Sequence, residues 1–407
     1  MSQTAPTLTF NPKGKAPSDA VAQLVELACD AKVSDLFFAS EEEVVVVSVK
    51  HLGMIRRVGV FEDEGGRRAI AHIKAAAGMD IGERRRPHDG RWIFARANGD
   101  EVDLRVNTIP TLHGEDLTMR LLDRENRLLP LDALGFLPQD YNRLLQMLAS
   151  PSGLILVTGP TRSGKTTTLY AILNHLRDGR RKINTIEDPV EYSIPGVRQS
   201  QVVPKIDVGF AELLTAVLRQ APDVIMIGEV RDPVTAQTAV RAANSGHLVL
   251  ATLHAPVAAA AVQSMMGFDV NPHFLASSLL GVISQRLVRT LDPATKTMYE
   301  MGDVPQMFED VKPWLEPGKP VRLCGPKAGT GVGGDGYSDR VGVFEMLSVS
   351  GAIRHLIANK VPAAGIHKKA VEDGMVEFRR AALIKVANGE TSVEEVFRTI
   401  PPEYLTD

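Results

Sequence analysis

The sequence predicts an α/β chain: a domain with a parallel sheet, preceded by a smaller α+β domain and followed by short helices. Three observations carry this prediction. The stretch from Gly153 to Thr168 reads strand, loop, helix and holds Gly159-x-x-x-x-Gly164-Lys165-Thr166, the spacing of a phosphate-binding loop. Four apolar runs, Leu154–Val157, Ile183–Ile186, Val224–Ile227 and Leu248–Leu253, alternate with helical patterns, as in βαβ units. Before them, short strand-like runs surround Asn98-Gly99-Asp100, a hairpin signal.

Composition narrows the classes. The chain has 407 residues, enough for two or three domains, and 44% of them are hydrophobic, ample for packed cores. The net charge of −3 gives no electrostatic case for a nucleic-acid partner. Two cysteines, Cys29 and Cys324, stand far apart, which argues against a disulfide framework and fits a reducing compartment. Residues 1–17 are polar and lack the apolar centre of a signal peptide. No run of 18 apolar residues exists to span a bilayer. The expectation is a cytoplasmic protein whose membrane role, if any, comes through a partner.

In chain order, 1–17 reads as a flexible tail. Val21, Leu24, Val25 and Ala28 have helical spacing, so 18–31 reads as an amphipathic helix. Strands follow at Asp35–Ala39, Val44–Val49 and Met54–Val60, a helix at Arg67–Ala77, and strands at Trp92–Ala97, Glu101–Thr108 and Leu117–Leu122. This α+β domain spans 18–123. Residues 124–138, with Pro130 and Pro138, read as a loosely packed linker. The nucleotide domain takes 139–407, opening with a helix at Gln139–Ala149. Within it, helices are expected at Phe210–Leu218, Val234–Ala243, Val257–Met266 and Phe274–Leu287, an irregular Gly/Pro-rich insertion over 293–346, and a strand near its end at Arg340–Leu347. A helical subdomain, 347–400, closes the chain, with Gly374 and Gly389 as helix stops and Ser392 with Glu395 as a capping box.

Each apolar run ends in a polar residue, and in an open parallel sheet those carboxyl ends share the ligand-binding edge. The P-loop, Glu187, Glu229 and His254 are therefore expected to converge on one nucleotide. Gly159 and Gly164 let the loop backbone turn its N–H groups toward phosphate oxygens, and the following helix adds its positive end. Pro160, Thr161, Arg162, Ser163 and Thr167 belong to the same cradle. Lys165 reaches the β/γ-phosphates and the Thr166 hydroxyl ligates Mg²⁺. ATP hydrolysis needs a carboxylate to orient or deprotonate water, and Glu187, in Glu187-Asp188-Pro189-Val190-Glu191, is expected to supply it. Glu229, in Gly228-Glu229-Val230-Arg231, is expected to act on Mg²⁺ through water, with Arg231 on a phosphate or a carboxylate. His254 is a candidate γ-phosphate sensor, and His247 a second nucleotide-binding histidine. Gly329-x-Gly331-x-x-Gly334 lacks the flanking strand and helix of a dinucleotide fingerprint and reads as a loop.

These motifs resemble those of the type II secretion and type IV pilus assembly ATPases, a branch of the RecA-like hexameric secretion motors. Gly159 to Tyr170 resembles the family's Walker A, Ile186 to Tyr192 its Asp box, Ile227 to Asp232 its Walker B and Gly246 to His254 its His box. Ser277–Val288 and Gly336–Glu345 also match. Pro87–Arg91, Asp103–Val106 and Gly114–Leu122 are similar to signatures of the family's PAS-like N-terminal domain. The resemblance covers about 18 to 400.

The resemblance implies a RecA-like motor domain, an N-terminal PAS-like domain, ATP with Mg²⁺, and a homohexamer. It further implies a machine in which an inner-membrane platform protein and a cytoplasmic membrane adaptor are the partners, and a site at the inner face of the membrane. Hydrolysis would shift the N-terminal domain against the motor through 124–138. By the same analogy, Arg105 and Arg120 reach a neighbouring subunit's phosphates. A retraction motor and a low-turnover, nucleotide-gated regulatory subunit are the alternatives. The chain departs from the family pattern at Arg162, where glycine is usual, at Gly228, where aspartate is common, at Thr215 and Ala221, at Val47–Lys50, and at Ala255-Pro256 after His254. Only Cys324 remains where relatives carry paired cysteines, so structural zinc is not expected.

Overall fold

The computed structural model describes residues 8–123, 128–299, 306–315, 323–330 and 334–405. The chain forms two compact units. One comprises 1–127, 291–297 and 326–339, and the other 128–290, 298–325 and 340–407.

The first unit runs α1 (Pro17–Asp30), β1 (Asp35–Ser40), β2 (Val44–His51), β3 (Met54–Glu62), α2 (Asp63–Ala76), β4 (His88–Ala95), β5 (Glu101–Thr111) and β6 (Gly114–Asp123). Its six strands lie in the order β3-β2-β1-β6-β5-β4, with every neighbouring pair antiparallel. The helical stripe Val21, Leu24, Val25 and Ala28 is buried, in one cluster with the inward strand residues Leu36, Phe38, Val47, Leu104 and Met119. That alternation of inward and outward residues is what a half-covered antiparallel sheet requires.

The second unit opens with Leu131 and Leu134, buried in one cluster with α3 (Pro138–Leu148). Residues 128–138 are thus part of that unit's packing rather than a loose connector; 124–127 lie outside the described residues. Then come β7 (Gly153–Thr158), α4 (Lys165–Leu176), β8 (Ile183–Glu187), β9 (Arg198–Gln201), α5 (Phe210–Leu218), β10 (Val224–Ile227), α6 (Pro233–Asn244), β11 (Leu248–Leu253), α7 (Ala258–Gly267), α8 (Pro272–Ser278) and β12 (Leu279–Leu291). A short ribbon pairs β13 (Thr297–Tyr299) with β14 (Leu323–Gly325). The chain ends with β15 (Tyr337–Ser348), α9 (Gly351–Ala358), α10 (Ala363–Glu372), α11 (Phe378–Ala387) and α12 (Val393–Thr399). The seven-stranded sheet has the order β15-β12-β7-β11-β10-β8-β9, and β12, β7, β11, β10, β8 and β9 run parallel.

Residues 8–17 are not a free tail: Phe10 is 6% exposed within the first unit's core and its N–H bonds the Val58 carbonyl at 2.8 Å. Two further expectations need correction. Phe274–Leu287 is not one helix: α8 stops at Ser278 and β12 follows, parallel to β7. Apolar residues at 279, 280, 282, 283, 287 and 288 satisfy a helical stripe and a doubly buried strand alike, and Val282, Ile283 and Val288 favour the strand once β7 offers an edge. Nor does the insertion 293–346 belong wholly to the nucleotide domain. Residues 291–297 and 326–339 group with the first unit. Asp335 pairs with Arg56 of β3 at 2.8 Å, and the Asp292 N–H bonds the Gly336 carbonyl at 2.9 Å. At the chain's end, Ser392 accepts the Glu395 N–H as expected, but the Glu395 carboxylate takes bonds from Arg289 and Arg398.

Candidate nucleotide site

The loop from Gly159 to Gly164 leaves the fully buried strand β7 and enters α4 with Gly164 as its N-cap at φ +90°. Gly159, at φ +142°, has no room for a side chain: a Cβ would lie 2.5 Å from the Gln285 carbonyl oxygen and 2.7 Å from the Ser163 hydroxyl. The Gln285 amide donates to the Ser163 carbonyl at 2.8 Å, so β12 braces the loop from behind. The buried Ser163 hydroxyl has no hydrogen-bond partner among the described residues. Pro160, Thr161, Arg162, Thr166 and Thr167 are exposed around the mouth of the cradle. Arg162 adopts φ +66°, the left-handed region in which a side chain is strained and glycine is not.

Lys165 is the centre of a polar cluster. Its ammonium donates to the carbonyls of Gly159 at 2.8 Å and Pro160 at 3.1 Å and lies 3.5 Å from His254 Nδ1. His254 Nε2 is 3.0 Å from Glu229, whose other oxygen pairs with Arg231 at 2.6 Å; Arg231 in turn is 3.7 Å from Asp188. Burial pushes the Lys165 ammonium below its ordinary range, Glu229 pulls it back and the nearby Arg286 pushes it down further. The Thr158 hydroxyl, at the end of β7, receives the Ala255 N–H at 2.8 Å and donates to the Ala255 carbonyl at 2.9 Å, fixing the loop that carries His254. The departure at Gly228 has a steric cause: a Cβ there would meet the Ile186 carbonyl oxygen at 3.1 Å and Glu187 Cα at 3.3 Å, which leaves little space for an aspartate.

The structure thus gathers Lys165, Glu229, Arg231 and His254 at one edge. Glu187 stands at the same edge but is turned inward, 3% exposed. Its carboxylate accepts from the Tyr170 hydroxyl, from Thr185 at 2.5 Å and from Gln199 at 3.1 Å. His247, expected among the nucleotide-binding residues, is not brought to the site. It precedes β11, at the amino edge of the sheet, and its Nδ1 lies 3.0 Å from the Ala242 carbonyl. At about 3.3 Å per residue, β11 separates it from His254 by roughly 20 Å. Arg105 and Arg120 belong to the first unit, directly opposite each other on β5 and β6. Arg120 lies 3.2 Å from Asp35, and among the described residues Arg105 makes no ion pair. Tyr170, Gln199, Gln285 and Arg286 were not singled out from the sequence, although Gln285 and Arg286 lie inside the matching Ser277–Val288 stretch; reading it as a helix hid their place beside the loop.

The family model described as type II/IV secretion system protein matches residues 14–398. The type II secretion system ATPase E of Vibrio cholerae is 41% identical over 366 residues, 90% of this chain and 71% of that protein. The type IV pilus assembly ATPase PilB of Thermus thermophilus is 36% identical over 389 residues, 93% of this chain and 42% of that protein. In fold, the chain is similar to the Legionella pneumophila ATPase DotB, with TM-score 0.70, 20% identity, and 97% of this chain and 98% of that one covered. It is likewise similar to the pilus retraction motor PilT with bound ADP, with TM-score 0.61, 23% identity, and 93% and 96% covered. The second unit therefore has a RecA-like P-loop fold. Matched along nearly its full length, the chain belongs to the type II/IV secretion system protein family.

Proposed function

We propose that this chain, an ATPase of that family, is a homohexameric motor that powers assembly of a type II secretion pseudopilus or a type IV pilus. It would do so at the cytoplasmic face of the inner membrane, through a platform protein and a cytoplasmic membrane adaptor. Among the described residues no helix is long and apolar enough to cross a membrane. The observation that carries the reading is the cluster of Lys165, Glu229, Arg231 and His254 beside a glycine cradle that a Cβ would fill. The orphaned Ser163 hydroxyl and the Lys165 ammonium, resting on loop carbonyls, are groups a bound phosphate would satisfy.

Thr166 and Glu229 would hold Mg²⁺, Glu229 through water; the ion supplies charge neutralisation at the β- and γ-phosphates. Lys165 would exchange the Gly159 and Pro160 carbonyls for phosphate oxygens. His254, bonded to Glu229, would report the γ-phosphate. Arg105 and Arg120 would supply positive charge to a neighbouring subunit's nucleotide, a role suited to side chains that never lose their proton. Glu187 would act as base: three donors occupy three of its roughly four lone-pair positions, leaving one for water.

The test is ATP turnover and ADP affinity for Lys165→Ala, Glu187→Gln and Glu229→Gln. Each is expected to lose turnover by about 100-fold or more. Glu187→Gln should keep ADP affinity within about threefold, because Glu187 does not touch the Lys165 cluster. Full turnover in Glu187→Gln would move the base to Glu229. One observation favours a second reading, a low-turnover nucleotide-gated subunit: a left-handed Arg162 stands inside the loop. Tight ATP binding by the native chain with no turnover would establish it.

A further inference from the structure

Arg286 is a buried cation without an ion-paired carboxylate among the described residues. It is 5% exposed. Its Nη1 donates to the Gln285 carbonyl at 3.1 Å and its Nη2 to the Pro256 carbonyl at 2.8 Å. The guanidinium lies 5.0 Å from the centre of the Phe378 ring at the start of α11. Glu345, the one carboxylate that acts on it, spends its oxygens on the Ala258 N–H at 2.8 Å and on the Phe378 N–H, and burial pushes that carboxyl up. A buried charge with no pair is costly, so a position that keeps one calls for an anion nearby.

The geometry says which anion. The Gln285 carbonyl that Arg286 holds is the same atom that lies 2.5 Å from where a Gly159 Cβ would be, so one carbonyl separates the guanidinium from the P-loop backbone. Its other carbonyl, Pro256, belongs to the loop two residues beyond His254. Arg286 is close enough to depress the Lys165 ammonium. We infer that Arg286 is a fixed counter-charge for the nucleotide phosphates, set behind the P-loop rather than in it, and that it positions the His254 loop through Pro256. This rests on the nucleotide reading of the site. It is a positioning residue: its charge acts on the phosphates across the Gln285 carbonyl and the P-loop backbone rather than by contact.

A counter-charge differs from a structural bolt in how its loss scales with ligand charge. The affinities of ATP, ADP and adenosine are to be measured by competition with a fluorescent ADP on the full chain, for the wild type, Lys165→Ala, Arg286→Gln and Arg286→Lys. Lys165→Ala checks the nucleotide reading itself: nucleotide affinity lost there and kept in Arg286→Gln separates the two questions. Arg286→Gln is expected to weaken ATP about tenfold, the order for a unit charge acting over roughly 10 Å at an effective dielectric near 20, to weaken ADP less, and to leave adenosine unchanged. Arg286→Lys keeps the charge and should stay within about threefold for all three. Equal weakening of ATP, ADP and adenosine, or none, in Arg286→Gln overturns the inference. If Arg286→Gln does not fold, Arg286→Lys decides alone: a loss of about tenfold for ATP refutes the counter-charge, and near-native affinity supports it.

Discussion

Replacing Tyr170 by Phe would remove one oxygen from the core of the second unit and keep its shape. Tyr170 is fully buried on α4, edge-on to Tyr192 with ring centroids 4.7 Å apart at 80°. Phe preserves that packing, so no cavity beyond a hydroxyl is left. What goes is the bond to the Glu187 carboxylate, together with the acceptor for the Glu191 N–H at 3.3 Å and for the Gln199 amide at 3.4 Å. Burial, then the Glu187 bond, pushes the phenol far above its usual range, so the hydroxyl stays a donor at every working pH. A hydrogen bond to a charged group contributes about 1.5–3 kcal/mol. Thr185 and Gln199 still hold Glu187, which places the net cost near 2 kcal/mol. For a unit of this size the melting temperature should fall by about 4–8 °C in nucleotide-free calorimetry. In an ATPase assay, kcat should fall by about tenfold with KM within about threefold, because the loosened carboxylate no longer fixes the attacking water. A melting temperature within about 1 °C of the wild type would show that the bond restrains nothing. A raised KM with unchanged kcat would show that this network serves nucleotide binding instead.

Arg162→Gly should raise the melting temperature, since a left-handed φ of +66° costs a side-chain-bearing residue about 1–2 kcal/mol that glycine does not incur; an unchanged value in calorimetry would refute the strain. Asp140→Asn should stabilise the chain at pH 8 and not near pH 4. Both Asp140 carboxylate oxygens are buried without a hydrogen-bond partner among the described residues, Arg143 is 3.7 Å away, and burial raises the carboxyl from 3.8 to about 6. A raised folded pKa means that stability is held at low pH and lost as the pH climbs through about 6, so denaturant melts of the Asn variant should show a gain of up to about 3 kcal/mol at pH 8; an equal gain at both pH values would refute the titration. Gly228→Ala should destabilise by about 1–2 kcal/mol and lower turnover, because its Cβ pushes on the end of β8 that carries Glu187; a native melting curve with native turnover would count against it.

Much of this was legible along the chain because its causes are local. The loop glycines, the lysine and the helix after them lie within one short segment, and each buried strand announces itself by an apolar run of its own. The strand boundaries 224–227 and 248–253 and the helix 210–218 follow from such runs. That Glu229 and His254 meet near Lys165 also follows, since parallel strands must end on a common edge.

The remainder depended on partners remote in sequence. Whether 279–291 is helix or strand turned on the open edge of β7, more than a hundred residues earlier. Glu187 looked free to face the nucleotide until Tyr170 and Gln199 arrived from α4 and β9 to take its oxygens. His247 and His254 flank one strand and were both candidates, with His254 the stronger, but a strand's two ends lie on opposite edges of its sheet. Arg286 could not be told from an ordinary strand arginine until Gln285 was seen to brace Ser163 across 122 residues. The P-loop and the strand ends were written in the sequence because backbone geometry and apolar periodicity act over a few residues. The direction each polar side chain takes was settled only in the folded chain, because hydrogen bonds and buried charge answer to whatever the fold brings within about 3 Å.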